Sequence, residues 1–188
     1  MLRNVILLAL LCVQVFPAYA ADRERAVLIY PRERWSLWPV FYTRHQNDLR
    51  QQLRQRYAVE VHRQVATDDA LFAVDVTGAK LLVISAHGDP FSMYFAGRTH
   101  RTLDGSDRWR LSAFLERLDP HATIVLQSCH TGRGFAHLVK QLAGPDRTVI
   151  AAKGEVPWDG VHITSVEPFD VRITCEDEGK EWDCTVKL

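Results

Sequence analysis

Two segments of the chain carry residues able to do covalent chemistry: Ala86-His87-Gly88-Asp89-Pro90 and Ser128-Cys129-His130-Thr131-Gly132. A thiolate attacks carbonyl carbon, and a nearby imidazole can take the proton of the thiol. Cys129 is therefore the candidate nucleophile and His87 the candidate base. The attacked carbonyl oxygen becomes an oxyanion, which fixed backbone N–H groups hold best. Gly88 has no side chain to keep its N–H from a ligand. The N–H of Cys129 sits where a strand is expected to turn into a helix. Gly88 and Cys129 are the candidate oxyanion donors.

His130 adjoins Cys129, but neighbours on a turn point different ways, so it is expected to be a bystander. A metal held by His87, His130 and Cys129 would need a fourth ligand that is not evident, and Cys-His is not a zinc spacing. Neither a metal nor another cofactor is expected. His45, His62, His100, His121, His137 and His162 are scattered and suit ordinary surface or core roles.

Cysteine count bears on the nucleophile. Residues 1–20 read as a secretory signal: Arg3, the apolar run Val5–Phe16, Pro17, then Ala18-Tyr19-Ala20 ahead of Ala21. That run is shorter than the roughly 20 residues a bilayer needs, so no stable membrane anchor is expected. Cys12 follows Leu11, where a lipoprotein would carry a small residue. The expectation is an exported protein, periplasmic or secreted, with residues 21–188 as one domain. Three cysteines then remain: Cys129, Cys175 and Cys184. VRITC and CTVKL flank a charged turn containing Gly179 and alternate like two antiparallel strands. A Cys175–Cys184 disulfide fits that geometry and an oxidising compartment. Cys129 is left as the odd cysteine, a candidate reactive thiol. An inert buried cysteine is equally common, and the count alone leaves both readings open.

Positioning falls to the surrounding elements. Ala26–Tyr30, Leu81–Ala86, Thr123–Gln127 and Thr148–Ala152 are short apolar runs that read as buried strands. Ala58–Val65 alternates and reads as another strand. Helices are expected over Val40–Tyr57, from Thr67 through Phe72, over Leu111–Leu118 and over Arg133–Leu142, with a small hairpin at Ser92–Ala96 and a strand-rich tail from Val161. Strands alternating with helices predict an α/β sandwich: a mostly parallel sheet, helices on both faces and a terminal β-hairpin. In such sheets sites form at the carboxyl ends of strands. His87 and Cys129 each follow a buried strand at that end.

LLVISAHGD, a hairpin, a helix and TIVLQSCHTGRG together resemble the caspase-like cysteine peptidases. These share an apolar strand ending in His-Gly, then another ending in Cys, in that order. The likeness runs from about Ala26 to about Trp158. SCHTGRGFAHLVKQLAG ahead of TVIAAKGEV looks most like the bacterial branch of toxin-processing and CHAT-type domains. The resemblance implies a caspase-like three-layer fold, a His-Cys dyad without a strictly placed third acid, and endopeptidase activity on a peptide or protein substrate. It also implies that Gln127, two before Cys129, lines the pocket for the side chain before the scissile bond. Arg32 and Arg34 follow the first strand, where caspases carry a pocket arginine; exposed surface arginines are the plainer reading. Glu155, Trp158 and Asp159 lie on a loop that commonly walls the same pocket. A carboxylate there would favour a basic side chain and an arginine an acidic one.

Composition excludes little but points away from nucleic acid: 23 basic and 23 acidic side chains balance, and they are spread along the chain. The chain departs from caspases in lacking an evident linker between subunits, and the disulfide hairpin is not a general family feature. Two rival functions stand beside the peptidase: a binding or scaffold domain that keeps the fold without turnover, and a thiol hydrolase or acyl transferase acting on a non-peptide carbonyl.

Overall fold

The computed structural model describes residues 23–32, 39–95, 102–157 and 159–188, with backbone alone at 39–43. The expected leader at 1–20, Arg34 and Trp158 lie outside the described residues. In chain order the elements begin with β1 (Glu24–Pro31), α1 (Pro39–Leu53), β2 (Tyr57–Val65), α2 (Asp68–Phe72) and β3 (Leu81–Ser85). Three two-residue strands follow, β4 (His87–Gly88), β5 (Met93–Tyr94) and β6 (Thr102–Leu103), then α3 (Arg108–Glu116), β7 (Thr123–Gln127), α4 (Phe135–Ala143) and β8 (Thr148–Ala152). The tail holds β9 (Val161–Val166), β10 (Phe169–Asp177), β11 (Lys180–Asp183) and β12 (Thr185–Lys187).

A six-stranded sheet in the order β12-β8-β7-β3-β1-β2 forms the centre. All its neighbours are parallel except β12, which runs antiparallel to β8. Parallel strands covered on both faces read as continuous apolar runs. Ala26–Tyr30, Leu81–Ile84, Ile124–Leu126 and Val149–Ala152 are accordingly buried throughout. Alternate residues feed opposite faces. Val27, Ile29, Leu82, Ile84, Ile124 and Leu126 pack with Leu71 of α2, Leu111, Phe114 and Leu115 of α3 and Phe135 and Val139 of α4. Leu28, Val83, Val125 and Ile150 face the other way, onto Leu49 and Leu53 of α1 and onto Val161, Val171 and Ile173. Each such buried aliphatic side chain contributes about 1.5–3 kcal/mol. Thr67 caps α2 by accepting the Ala70 N–H at 3.1 Å, as the sequence predicts.

Four expectations need correction. The first helix stops at Leu53, and Tyr57 opens β2 opposite Glu24. Tyr57 continued the apolar spacing because it is itself a core residue: its ring is buried, edge-on to Phe169 at 6.4 Å between centroids. In the tail, CTVKL is not the second arm of the hairpin. KEWD returns against β10, and Thr185–Lys187 crosses to β8. That move pairs what would otherwise be an open edge of the central sheet. The second face is covered by α1 together with a small β11-β10-β9 sheet, rather than by helices alone. The small hairpin expected at Ser92–Ala96 is part of a three-stranded sheet in which β5 lies between β4 and β6.

Candidate active site

Strands β3 and β7 are neighbours, and their last paired residues are Ser85 and Gln127. His87 and Cys129 each stand two residues further on, at the carboxyl edge of the sheet. The Ala86 N–H still reaches the Gln127 carbonyl at 3.2 Å, so the strands stay together as they leave the sheet. His87-Gly88 then forms β4 and pairs with Met93-Tyr94. His87 is exposed, and Cys129 is half-buried and outside any disulfide.

Gly88 is fitted against the cysteine turn. A methyl group built on it would lie 2.1 Å from Ser128 Oγ, 3.0 Å from the Cys129 carbonyl oxygen and 3.1 Å from the Thr131 methyl. No larger residue leaves the two segments in this contact. The loop after Gly88 is braced in the same direction. Asp89 accepts the Phe91 and Ser92 N–H groups at 2.7 and 2.9 Å, and the Ser92 hydroxyl at 3.0 Å. The Tyr94 hydroxyl donates to it as well. Burial pushes the Asp89 carboxyl up, but the Tyr94 hydroxyl and the Phe91 and Ser92 donors outweigh this and hold it below the usual carboxylate range. The Pro90 carbonyl next to it accepts the Phe135 N–H at 2.6 Å, which docks the histidine loop on the first turn of α4. Asp89 thus holds the loop that follows His87-Gly88. Its signal was present in Asp-Pro-Phe-Ser, an Asx-turn pattern.

On its other side Cys129 opens into a cleft of about 560 Å³, lined by Cys129, His130, Arg133, residues 154–157, 176–178 and Trp182. The Val156 N–H donates to Cys129 Sγ at 3.4 Å. A donor aimed at sulfur holds negative charge there. His130 takes a left-handed backbone, with φ of 58°. Its N–H reaches the Gly154 carbonyl at 2.9 Å, its Nδ1 lies 3.3 Å from the Lys153 carbonyl, and its Nε2 is 3.9 Å from Glu155. The His130 ring is engaged by the loop after β8. Arg133 is tied to the same loop, donating from Nε to the Lys153 carbonyl at 2.6 Å.

The pocket residues separate. Glu155 lines the cleft. Gln127 is buried and outside the lining, and its Oε1 has no hydrogen-bond partner among the described residues. Asp159 is exposed, lies outside the lining and acts electrostatically on His45 of α1. Arg32 is exposed, and its N–H serves the backbone of Val65 and Phe95. Nothing in the alternating tail sequence brings Glu176, Asp177, Glu178 and Trp182 to the cleft; their place follows from the packing of β10 and β11 against the loop after β8. The Cys175–Cys184 disulfide is present, with both residues buried. Among the described residues no group of three or more His, Cys, Asp or Glu could hold a metal ion, and no helix is long and apolar enough to cross a membrane.

Neither protein-family models nor curated proteins give a match to this chain.

Proposed function

We propose that this chain is an exported, caspase-like thiol hydrolase that cleaves peptide bonds with Cys129 and His87. The observation that carries the reading is the close approach of Gly88 to the Ser128-Cys129 turn, with His87 and Cys129 each two residues past the last paired positions of adjacent parallel strands. The mostly parallel sheet with helices on both faces supports the caspase-like fold, and the buried disulfide supports an oxidising compartment.

In this mechanism Cys129 Sγ forms a bond to the scissile carbonyl carbon while its proton passes to His87. The oxyanion is held by the N–H groups of Gly88 and Cys129. The C–N bond then breaks, and His87 returns the proton to the departing amine. Water, losing a proton to His87, attacks the thioester and releases the acid and the free thiol. The substrate is a peptide or protein lying in the cleft beside Cys129. Glu155, Glu176, Asp177 and Glu178 outnumber Arg133 there, so a cationic segment is favoured over an acidic one. No cofactor takes part.

A peptide library tests this directly. The expected result is cleavage that Cys129→Ala abolishes without unfolding the protein, that His87→Ala nearly abolishes, and that His130→Ala largely keeps. Effects of Cys129→Ala and His87→Ala do not add, because the two residues act as a unit. A chain that hydrolyses small thioesters or esters but no peptide would be an acyl hydrolase or transferase. One whose Cys129 ignores every thiol probe would be a scaffold.

A further inference from the structure

We propose that the Cys175–Cys184 disulfide and Gly154 position the Cys129 thiol, so that its reactivity depends on the disulfide being intact. The inference rests on Cys129 being a reactive thiol and does not need the substrate to be a peptide.

The residues 153–156 lie as a plate between the disulfide and the thiol. Beneath, a methyl group on Gly154 would sit 2.9 Å from Cys175 Sγ, 3.0 Å from Cys175 Cβ and 3.0 Å from the Trp182 ring. Only glycine lets the backbone rest on the disulfide this closely. Both flanks of the plate are pinned at or beside the disulfide's own residues. The Lys153 N–H donates to the Cys184 carbonyl at 3.1 Å, and the Glu176 N–H donates to the Glu155 carbonyl at 3.0 Å. Above, the plate touches the cysteine turn twice. The Gly154 carbonyl accepts the His130 N–H at 2.9 Å, and the Val156 N–H reaches Cys129 Sγ at 3.4 Å.

The backing of this plate is weak without the cross-link. Every residue of β11 is exposed, so this edge strand buries no side chain of its own and leans on the cross-link to stay on β10. The disulfide closes a loop of sequence separation 9 and limits the freedom of the open chain. Its two residues are 0 % and 1 % exposed, so a reductant reaches the bond only when the hairpin opens. Once the bond is lost, β11 frays, Gly154 loses its floor, and the Val156 N–H moves off the sulfur.

The test is the rate of Cys129 alkylation by iodoacetamide across pH, read by peptide mass on the exported protein. For Cys175→Ala/Cys184→Ala the expected result is a rate about tenfold lower at neutral pH and a profile displaced upward by roughly one unit. Gly154→Ala, with the disulfide verified by mass, moves the profile the same way by less. Leu111→Ala, on the far face of the sheet, lowers the melting temperature yet keeps the wild-type profile. A wild-type profile in the double variant overturns the proposal, as does an equal displacement in Leu111→Ala. Should the double variant not fold, Gly154→Ala decides, and a wild-type profile there overturns the proposal. Since no peptide is used, a chain that shows the displacement but cleaves nothing keeps this inference and loses the peptidase.

Discussion

The two edges of the central sheet are built differently. The amino edge is held by basic side chains that find several partners each. Arg25 grips Glu60 with two bonds of 2.8 Å and also reaches the Thr77 and Asp75 carbonyls. Lys80 pairs with Asp119 at 2.8 Å. Arg147 donates to the carbonyls of Asp119, Ala143 and Leu118 at 2.7–2.9 Å. The carboxyl edge is packed by glycines. Gly88, Gly132, Gly134 and Gly154 all sit where a methyl group would lie within 3 Å of a neighbour. Gln127 Oε1 and Ser128 Oγ are buried there without a hydrogen-bond partner among the described residues. One edge spends its polar groups on holding the fold, and the other keeps close backbone approaches beside a thiol and an imidazole. The polar side chains that hold the fold and the thiol and imidazole thereby sit at opposite ends of the strands.

Gly88→Ala presses hardest on this contrast. Its methyl would overlap Ser128 Oγ and spread the histidine and cysteine segments, so hydrolysis should fall about 10²–10³-fold, the loss typical of a missing oxyanion donor. The stability cost should be only about 1–3 kcal/mol. A Gly88→Ala protein with wild-type turnover would remove the oxyanion role and the reason for a glycine here.

At the other edge Arg147→Ala strands three carbonyls. It should destabilise by about 1–3 kcal/mol in urea unfolding and leave turnover unchanged well below its melting point. Lost activity in the folded protein would show the edges to be coupled.

Glu60→Gln should have the smallest effect. The Arg25 guanidinium hydrogen-bonded to Glu60 holds its carboxyl below the usual range. A carboxyl depressed by folding stabilises above its unfolded value and stops doing so as pH falls through the folded value. Glu60 is half exposed, so the difference from wild type at pH 7 should be roughly 0.2–1 kcal/mol. It should fade in acid, below the ordinary glutamate range. A difference that persists at the lowest pH would assign the effect to packing.

The separation explains what the sequence could say. Apolar runs such as LLVIS and TIVLQ mark strands buried on both faces, and their abrupt polar ends mark the carboxyl edge, so His87 and Cys129 could be read as neighbours. Register is not written in either segment, yet Ser85 opposite Gln127 is what sets the two residues level. The tail was harder to read. Whether CTVKL pairs with β10 or with β8 depends on which edge is open after the whole sheet has formed. The acidic wall of Glu176–Glu178 and the Val156 N–H on sulfur follow from that choice, so neither was legible. Asp89 was legible as a turn residue, but its link to α4 runs through Pro90 and Phe135, far apart in sequence.

The central claim is that His87 makes Cys129 reactive. The direct measurement is covalent labelling of Cys129 by an irreversible thiol-reactive peptide probe in wild type, His87→Ala and His130→Ala, with folding checked by circular dichroism. The account predicts rapid labelling in wild type and in His130→Ala, and a rate lower by about 10²-fold or more in His87→Ala. Equal labelling of wild type and His87→Ala, or a loss confined to His130→Ala, would contradict it.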